Sequence, residues 1–127
     1  MAYLFLLSRI LFGGYFFKAG LNHFMGLNGL TMYAQSKGAP MPKLSVIVSG
    51  LIVLLGGAGI ILGVYTKISV LLIALFLIPV TFIMHSFWKT EDPMAKMGEK
   101  INFEKNIALL GGVLAYLFIS GAWPFSL

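Results

Sequence analysis

The sequence predicts an all-α membrane protein: a four-transmembrane-helix bundle with a short interfacial helix in its first loop. Two observations predict it. Four apolar stretches, at residues 3–25, 44–65, 68–88 and 103–120, occupy most of the 127 residues. Each supplies close to the ~20 helical residues that cross a hydrocarbon core of about 30 Å. Second, hydrophobic residues make up 59% of the chain and charged residues only 10%, where a soluble domain is about a quarter charged. Lipid is the solvent that suits such a surface. One domain, residues 1–127, uses the whole length.

The first stretch reads as a retained helix, not a cleaved signal. Its first basic residue, Arg9, falls inside the apolar run, which continues past Lys18 to Met25. In the loop at 26–43, Leu27, Leu30, Tyr33 and Ala34 fall at helical spacing and Gly38 reads as a C-cap. Ala39-Pro40-Met41-Pro42-Lys43 then forbids continuation, so a short helix on the membrane surface is expected. The second span carries Gly56, Gly59 and Gly63, and Tyr65-Thr66-Lys67 is the expected turn of an antiparallel hairpin with the third. Pro79 should kink that third span. The loop at 89–102 is the hydrophilic segment. The fourth span carries Ala108-x-x-x-Gly112 and Gly111-x-x-x-Ala115, a spacing that lets helix backbones approach in lipid.

The net charge of +5 lies at helix ends and in loops, where lysines meet lipid headgroups and set topology, so no nucleic-acid partner is expected. Lys37, Lys43, Lys89, Lys96, Lys100 and Lys105 gather on the long-loop side, against little beyond Lys67 on the other. Long loops are therefore expected in the cytoplasm and both termini outside, in a multi-pass protein. The absence of cysteine excludes disulfides, thiolate metal sites, iron–sulfur clusters and dithiol redox chemistry.

The chemistry-bearing residues sit inside the apolar stretches. Arg9, Gly13, Phe16, Gly20 and His23 recur at three- and four-residue steps and share one helix face. An arginine on a glycine-lined face points into the bundle and needs water, a partner or a ligand; the alternative is that it snorkels to headgroups, as Lys18 on the opposite face is expected to do. His23 and His85 end spans of the same direction, so they are expected at matching depth near the long loops. Thr81 precedes His85 by one turn, and Trp88 and Asn106 lie at the same level. Arg9, His23, Thr81, His85, Trp88 and Asn106 are the candidate ligand-binding residues. Two imidazoles at one level suit a quinone carbonyl or, less well, a haem; ordinary interfacial packing is the competing reading. No third ligand accompanies them, and no metal site is assigned. Nothing matches the motifs of nucleophilic catalysis, phosphate binding or zinc hydrolysis.

These residues resemble the DoxX family in order along nearly the whole chain. Arg9, Gly13, Phe16 and Gly20 are similar to its first helix. Lys37-Gly38-Ala39-Pro40, Ser49-Gly50, Gly56-Gly57, Leu62-Gly63 and Thr66 resemble its second segment, and His85-Ser86-Phe87-Trp88 the end of its third helix. Lys105-Asn106-Ile107-Ala108-Leu109-Leu110-Gly111-Gly112, Gly121 and Phe125-Ser126-Leu127 resemble its fourth. The resemblance implies a small four-helix protein of the bacterial inner membrane, with relatives in quinone-linked oxidation systems and oxidative-stress complexes. It marks Arg9, His85, Trp88, Lys105 and Asn106. Where many relatives carry a glutamate before the Gly-Gly pair, this chain has Val53, so the natural intramembrane partner of Arg9 is missing.

Two functions are expected from different classes. One is an accessory or quinone-linked subunit of a membrane redox system, binding a lipid-like ligand in the bundle. The other is a non-enzymatic anchor that recruits a protein partner through the loop at 89–102, as a homo-oligomer or within a larger complex. Whether any reaction is catalysed is left open. Coupled cation transport is disfavoured, because the first span holds no acid.

Overall fold

Apolar residues run without proline from the N-terminus, and in the computed structural model, which describes residues 1–127, they form helix α1, Ala2–Met25. Gly26 closes it and α2, Leu27–Ser36, follows directly. Gly38, at φ +78°, takes the left-handed conformation that a residue without Cβ adopts freely after a helix end. Pro42 occupies the first turn of α3, Pro42–Leu62, where its missing N–H would have no helical partner anyway. Gly63, at φ +72°, ends α3, and α4 spans Thr66–Met84 with Pro79 inside it. The hairpin turn is therefore at 63–65, slightly earlier than the Tyr65-Thr66-Lys67 expected.

After a 3₁₀ turn at Phe87–Lys89, Asp92 accepts a hydrogen bond from the Ala95 N–H at 2.9 Å and caps α5, Pro93–Ala115. A second 3₁₀ turn, Tyr116–Phe118, leads into the C-terminal tail. The last helix thus starts at Pro93 rather than 103 and ends at Ala115 rather than 120. Three helices are long and apolar enough to cross a membrane: α1, α3 and α4 with its 3₁₀ extension. The expected fourth stretch does not reach that standard, because α5 absorbs Lys96, Glu99, Lys100, Glu104 and Lys105 into its first half. All regular structure is helical.

Helix α3 is the centrepiece, with α1 on one flank, α4 on the other and α2 folded against it; α5 lies on α4. The α1–α3 contact is backbone to backbone. A Cβ on Gly57 would stand 2.6 Å from the Gly13 carbonyl oxygen, and one on Gly13 would stand 2.7 Å from that of Gly57. On the other flank, a Cβ on Gly59 would collide with the Ser69 hydroxyl of α4. Close approach of this kind stabilises helix pairs in lipid, where burying apolar area gives no drive. Phe16, Val53, Ile60, Val70, Ile73, Leu77 and Val113 fill the core between these helices. Leu11, Leu51, Leu55, Leu71, Leu75 and Phe118 face outward.

Helices α1 and α5 run antiparallel, linked by the Ser8 and Tyr116 hydroxyls at 2.5 Å, and Gly112 sits over the Phe12 ring. The tail then returns to the end of α3, where the Leu127 N–H donates to the Leu62 carbonyl at 3.0 Å.

Candidate functional site

The polar residues of the apolar helices sort into two ends of the molecule. At the end near the termini, Arg9 is completely buried. Its Nε donates to the Ile60 carbonyl at 3.1 Å, Nη2 to those of Ile61 at 2.7 Å and Phe125 at 3.3 Å, and Nη1 to that of Pro124. Ile60 and Ile61 belong to the last turn of α3, whose carbonyls have no helical partners and carry the negative end of the helix dipole. The guanidinium therefore meets a diffuse negative charge supplied by backbone. Phe5 and Trp123 flank it, with ring centroids 5.5 and 5.6 Å away. Arg9 shares a face with Gly13, Phe16 and Gly20, all buried against α3, and thus joins α1, α3 and the tail.

The other candidates lie toward the opposite end. His23 is half-buried, stacks edge-on against Phe76 at 6.0 Å, and its Nδ1 donates to the Ala19 carbonyl at 2.6 Å. A carbonyl only accepts, so His23 Nε2 is the nitrogen left free. Phe76 lies eight residues, about 12 Å, before the end of α4 at Met84, so His23 falls well short of His85, which follows that end. The matching depth expected of the two imidazoles is not found, and a haem held by both does not fit that spacing.

Around His85 a cluster forms that the sequence reading did not assemble. Glu99, on α5, receives a hydrogen bond from His85 Nδ1 at 3.0 Å through one carboxylate oxygen and from the Tyr33 hydroxyl at 2.7 Å through the other. Lys37 Nζ lies 3.7 Å from the same oxygen as His85. Helix α2, the end of α4 and the start of α5 are thereby joined through one carboxylate. Burial works to raise the Glu99 carboxyl, but the hydrogen bonds from Tyr33 and His85 and the Lys37 charge outweigh it and hold it below the ordinary value. Burial, then the hydrogen bond to Glu99 and its charge, push the Tyr33 phenol up. An ionised Glu99 accepts only, so His85 Nδ1 carries the hydrogen and Nε2 remains free to exchange a proton or a hydrogen bond.

Thr81, one turn before His85, is buried and its hydroxyl has no partner. Asn106 is buried on α5 two turns after Glu99, on the same helix face. Trp88 is half-exposed, packed edge-on against Phe103 at 5.7 Å and Phe87 at 5.3 Å. Thr81, His85, Trp88 and Asn106 therefore belong to the α4–α5 side of this end, His23 lies deeper, and Arg9 stands apart. The available signal for Glu99 was Asp92-Pro93, a helix start that sets Glu99 and Asn106 on one face.

A model of the DoxX family matches residues 4–86 of this chain. The chain belongs to the DoxX family. Over 125 residues it is 32% identical to inner membrane protein YphA of Escherichia coli (strain K12), covering 98% of this chain and 87% of that protein. No solved structure gives a significant match. The matched region of the DoxX chain includes Arg9, His23, Thr81 and His85 and ends before Trp88, Glu99 and all of α5.

Proposed function

We propose that this DoxX protein is a single four-span domain of the bacterial inner membrane. Its His85–Glu99 end holds a lipid-soluble, carbonyl-bearing ligand of the quinone class, as an accessory subunit of a membrane redox system. The observation that carries the ligand is the His85–Glu99 pair: the carboxylate fixes Nδ1 and leaves Nε2 free at the margin of the apolar helices. Nε2 accepts a hydrogen bond from a quinol hydroxyl while the ring is neutral and donates to a quinone carbonyl oxygen as imidazolium, and the unpartnered Thr81 hydroxyl one turn deeper is a donor to a carbonyl in either state. A quinone supplies two-electron redox chemistry that consumes protons on reduction. The chain's own part is to bind, orient and exchange protons through His85, while Glu99 keeps the imidazole in one tautomer.

A fourth crossing by α5 is supported by its course. It begins beside the His85 end and its tail reaches the Arg9 end, so it runs the height that α1 runs. The inner-membrane location of YphA supports the compartment, and the lysines of the long loops support their cytoplasmic side.

The test is tryptophan quenching by a short-chain ubiquinone analogue in detergent micelles. A Trp123→Phe background leaves Trp88 as the sole tryptophan of the 2 present. Saturable quenching is expected, with affinity weakened roughly tenfold or more by His85→Ala, the scale of one lost charge-assisted hydrogen bond. Non-saturable quenching, equal in both proteins, would remove the ligand from this end.

A second reading, an anchor for a protein partner, draws on residues 91–98, which are all exposed. It predicts that charge reversal at Lys96 and Lys100 abolishes recruitment while quinone quenching is unchanged.

A further inference from the structure

We infer that the face shared by α1 and α5 is a self-association surface, on which Lys18 of one copy pairs with Glu104 of a second copy of this chain. Both residues are exposed and neither makes an ion pair or a side-chain hydrogen bond; Lys18 lies within the apolar α1 and Glu104 at the charged start of α5, just before its apolar half. Their depths follow from the α1–α5 register. Ser8 meets Tyr116 and Phe12 meets Gly112, so paired positions add to about 124. Lys18 is then level with Asn106 and Glu104 with Gly20, a difference of about 3 Å at 1.5 Å per residue. Glu104 sits five residues, about 8 Å, inside the end of α1 at Met25. A short carboxylate side chain cannot reach headgroups from there as a lysine can.

Within one chain neither lysine neighbour pairs with Glu104: Lys100, one turn earlier on the same face, makes no ion pair with it. The Lys105 ammonium is held by the Tyr15 hydroxyl at 3.1 Å and lies 5.6 Å from that ring's centroid, and adjacent residues of a helix face different ways. Two copies inserted in the same direction are related by a two-fold axis along the membrane normal, which preserves depth. That operation sets α1 of one copy against α5 of the other and brings Lys18 and Glu104 together twice. The surface is also shaped to receive a helix. Between α1 and α5 lies an open groove of about 490 Å³ lined by Ser8, Leu11, Phe12, Tyr15, Leu109 and Tyr116. At its α5 edge a Cβ on Gly111 would meet nothing within 4 Å. Gly98 and Gly111 of α5 are thus not used inside the chain, unlike Gly112 beside Phe12 and the glycines of α3.

This inference rests on α5 crossing the membrane. Labelling of a Ser126→Cys chain by an impermeant thiol reagent reports that crossing separately, since the tail must then react from the same side as the N-terminus.

The experiment is co-purification of differently tagged copies from one membrane, with label photobleaching in liposomes to count subunits. Wild-type copies should pair. Lys18→Glu alone and Glu104→Lys alone should each lose self-association at least tenfold. Co-expressed with each other, they should pair at the wild-type level, because only the mixed dimer has both charge pairs complementary. The chain carrying both reversals should also self-associate, which reports that the fold tolerates them. Wild-type monomers, single variants that pair undiminished, or reversed copies that fail to pair with each other would each overturn the inference.

Discussion

Arg9 is held by four backbone carbonyls and no acid, which accounts for a buried charge in apolar surroundings. Removing it should release the tail as well as destabilise the α1–α3 contact. Arg9→Ala is expected to lower unfolding stability by about 3 kcal/mol, the scale of hydrogen bonds made by a buried charge. Arg9→Lys, with a point charge in place of the planar fork, should lose less. Thermal melts by circular dichroism in detergent check both, and wild-type melting in either would contradict the role. Glu99 gives a pH dependence whose sign is fixed by its lowered folded-state value. The carboxylate's stabilisation is complete above its unfolded value of about 4.3 and is lost as pH falls through the lower folded value. Acid melting should therefore be shallower in Glu99→Gln than in wild type, and the difference between them should shrink below about pH 4. Tyr33 has the opposite sense: its raised value keeps the neutral form, with stabilisation present below about pH 10 and lost as pH rises past it.

Among the elements, the glycine face of α1 was legible from the sequence, but of the α3 glycines expected to pack, Gly56 and Gly59 meet α4, and it is Gly50 and Gly57 that meet α1. Gly57→Val should separate α1 from α3 and cost more stability than Gly111→Val, whose added atoms meet open space; equal losses would contradict the packing described. The start of α5 was the element misread. Charged residues at 89–102 resembled a solvated loop, yet Asp92-Pro93 begins a helix within it, and Glu99 turns inward toward His85 and Tyr33. Asp92→Ala should weaken that start by about 1 kcal/mol, read as lower helicity and an earlier melt. Residues such as Arg9 and His85 stood out as polar groups in apolar runs. Their partners did not, since Pro124 and Glu99 are joined to them by folding across long separations and not by any local pattern. The hairpin turn was placed to within two residues, because Gly63 and Tyr65 both take left-handed backbone that no hydropathy pattern records.

At the scale of the whole molecule, three helices meet the length and apolarity of a membrane span, and α5 carries charged residues through its first half. Its charged half carries Glu99 toward α2 and α4 and Glu104 outward, while its apolar half packs Val113, and the 3₁₀ turn after it Tyr116, into the core. The lack of cysteine makes topology directly measurable by single introduced cysteines. Positions 65, 119 and 126 should label from one side of the membrane and positions 37 and 96 from the other.

The ligand at the His85–Glu99 end is tested most directly by mass spectrometry of organic extracts from the protein purified in lipid nanodiscs. An isoprenoid quinone should accompany the wild-type chain in near-stoichiometric amount and fall to background in His85→Ala, with phospholipid unchanged. Phospholipid alone in the wild type, or quinone equally abundant in both, would contradict a quinone held by His85.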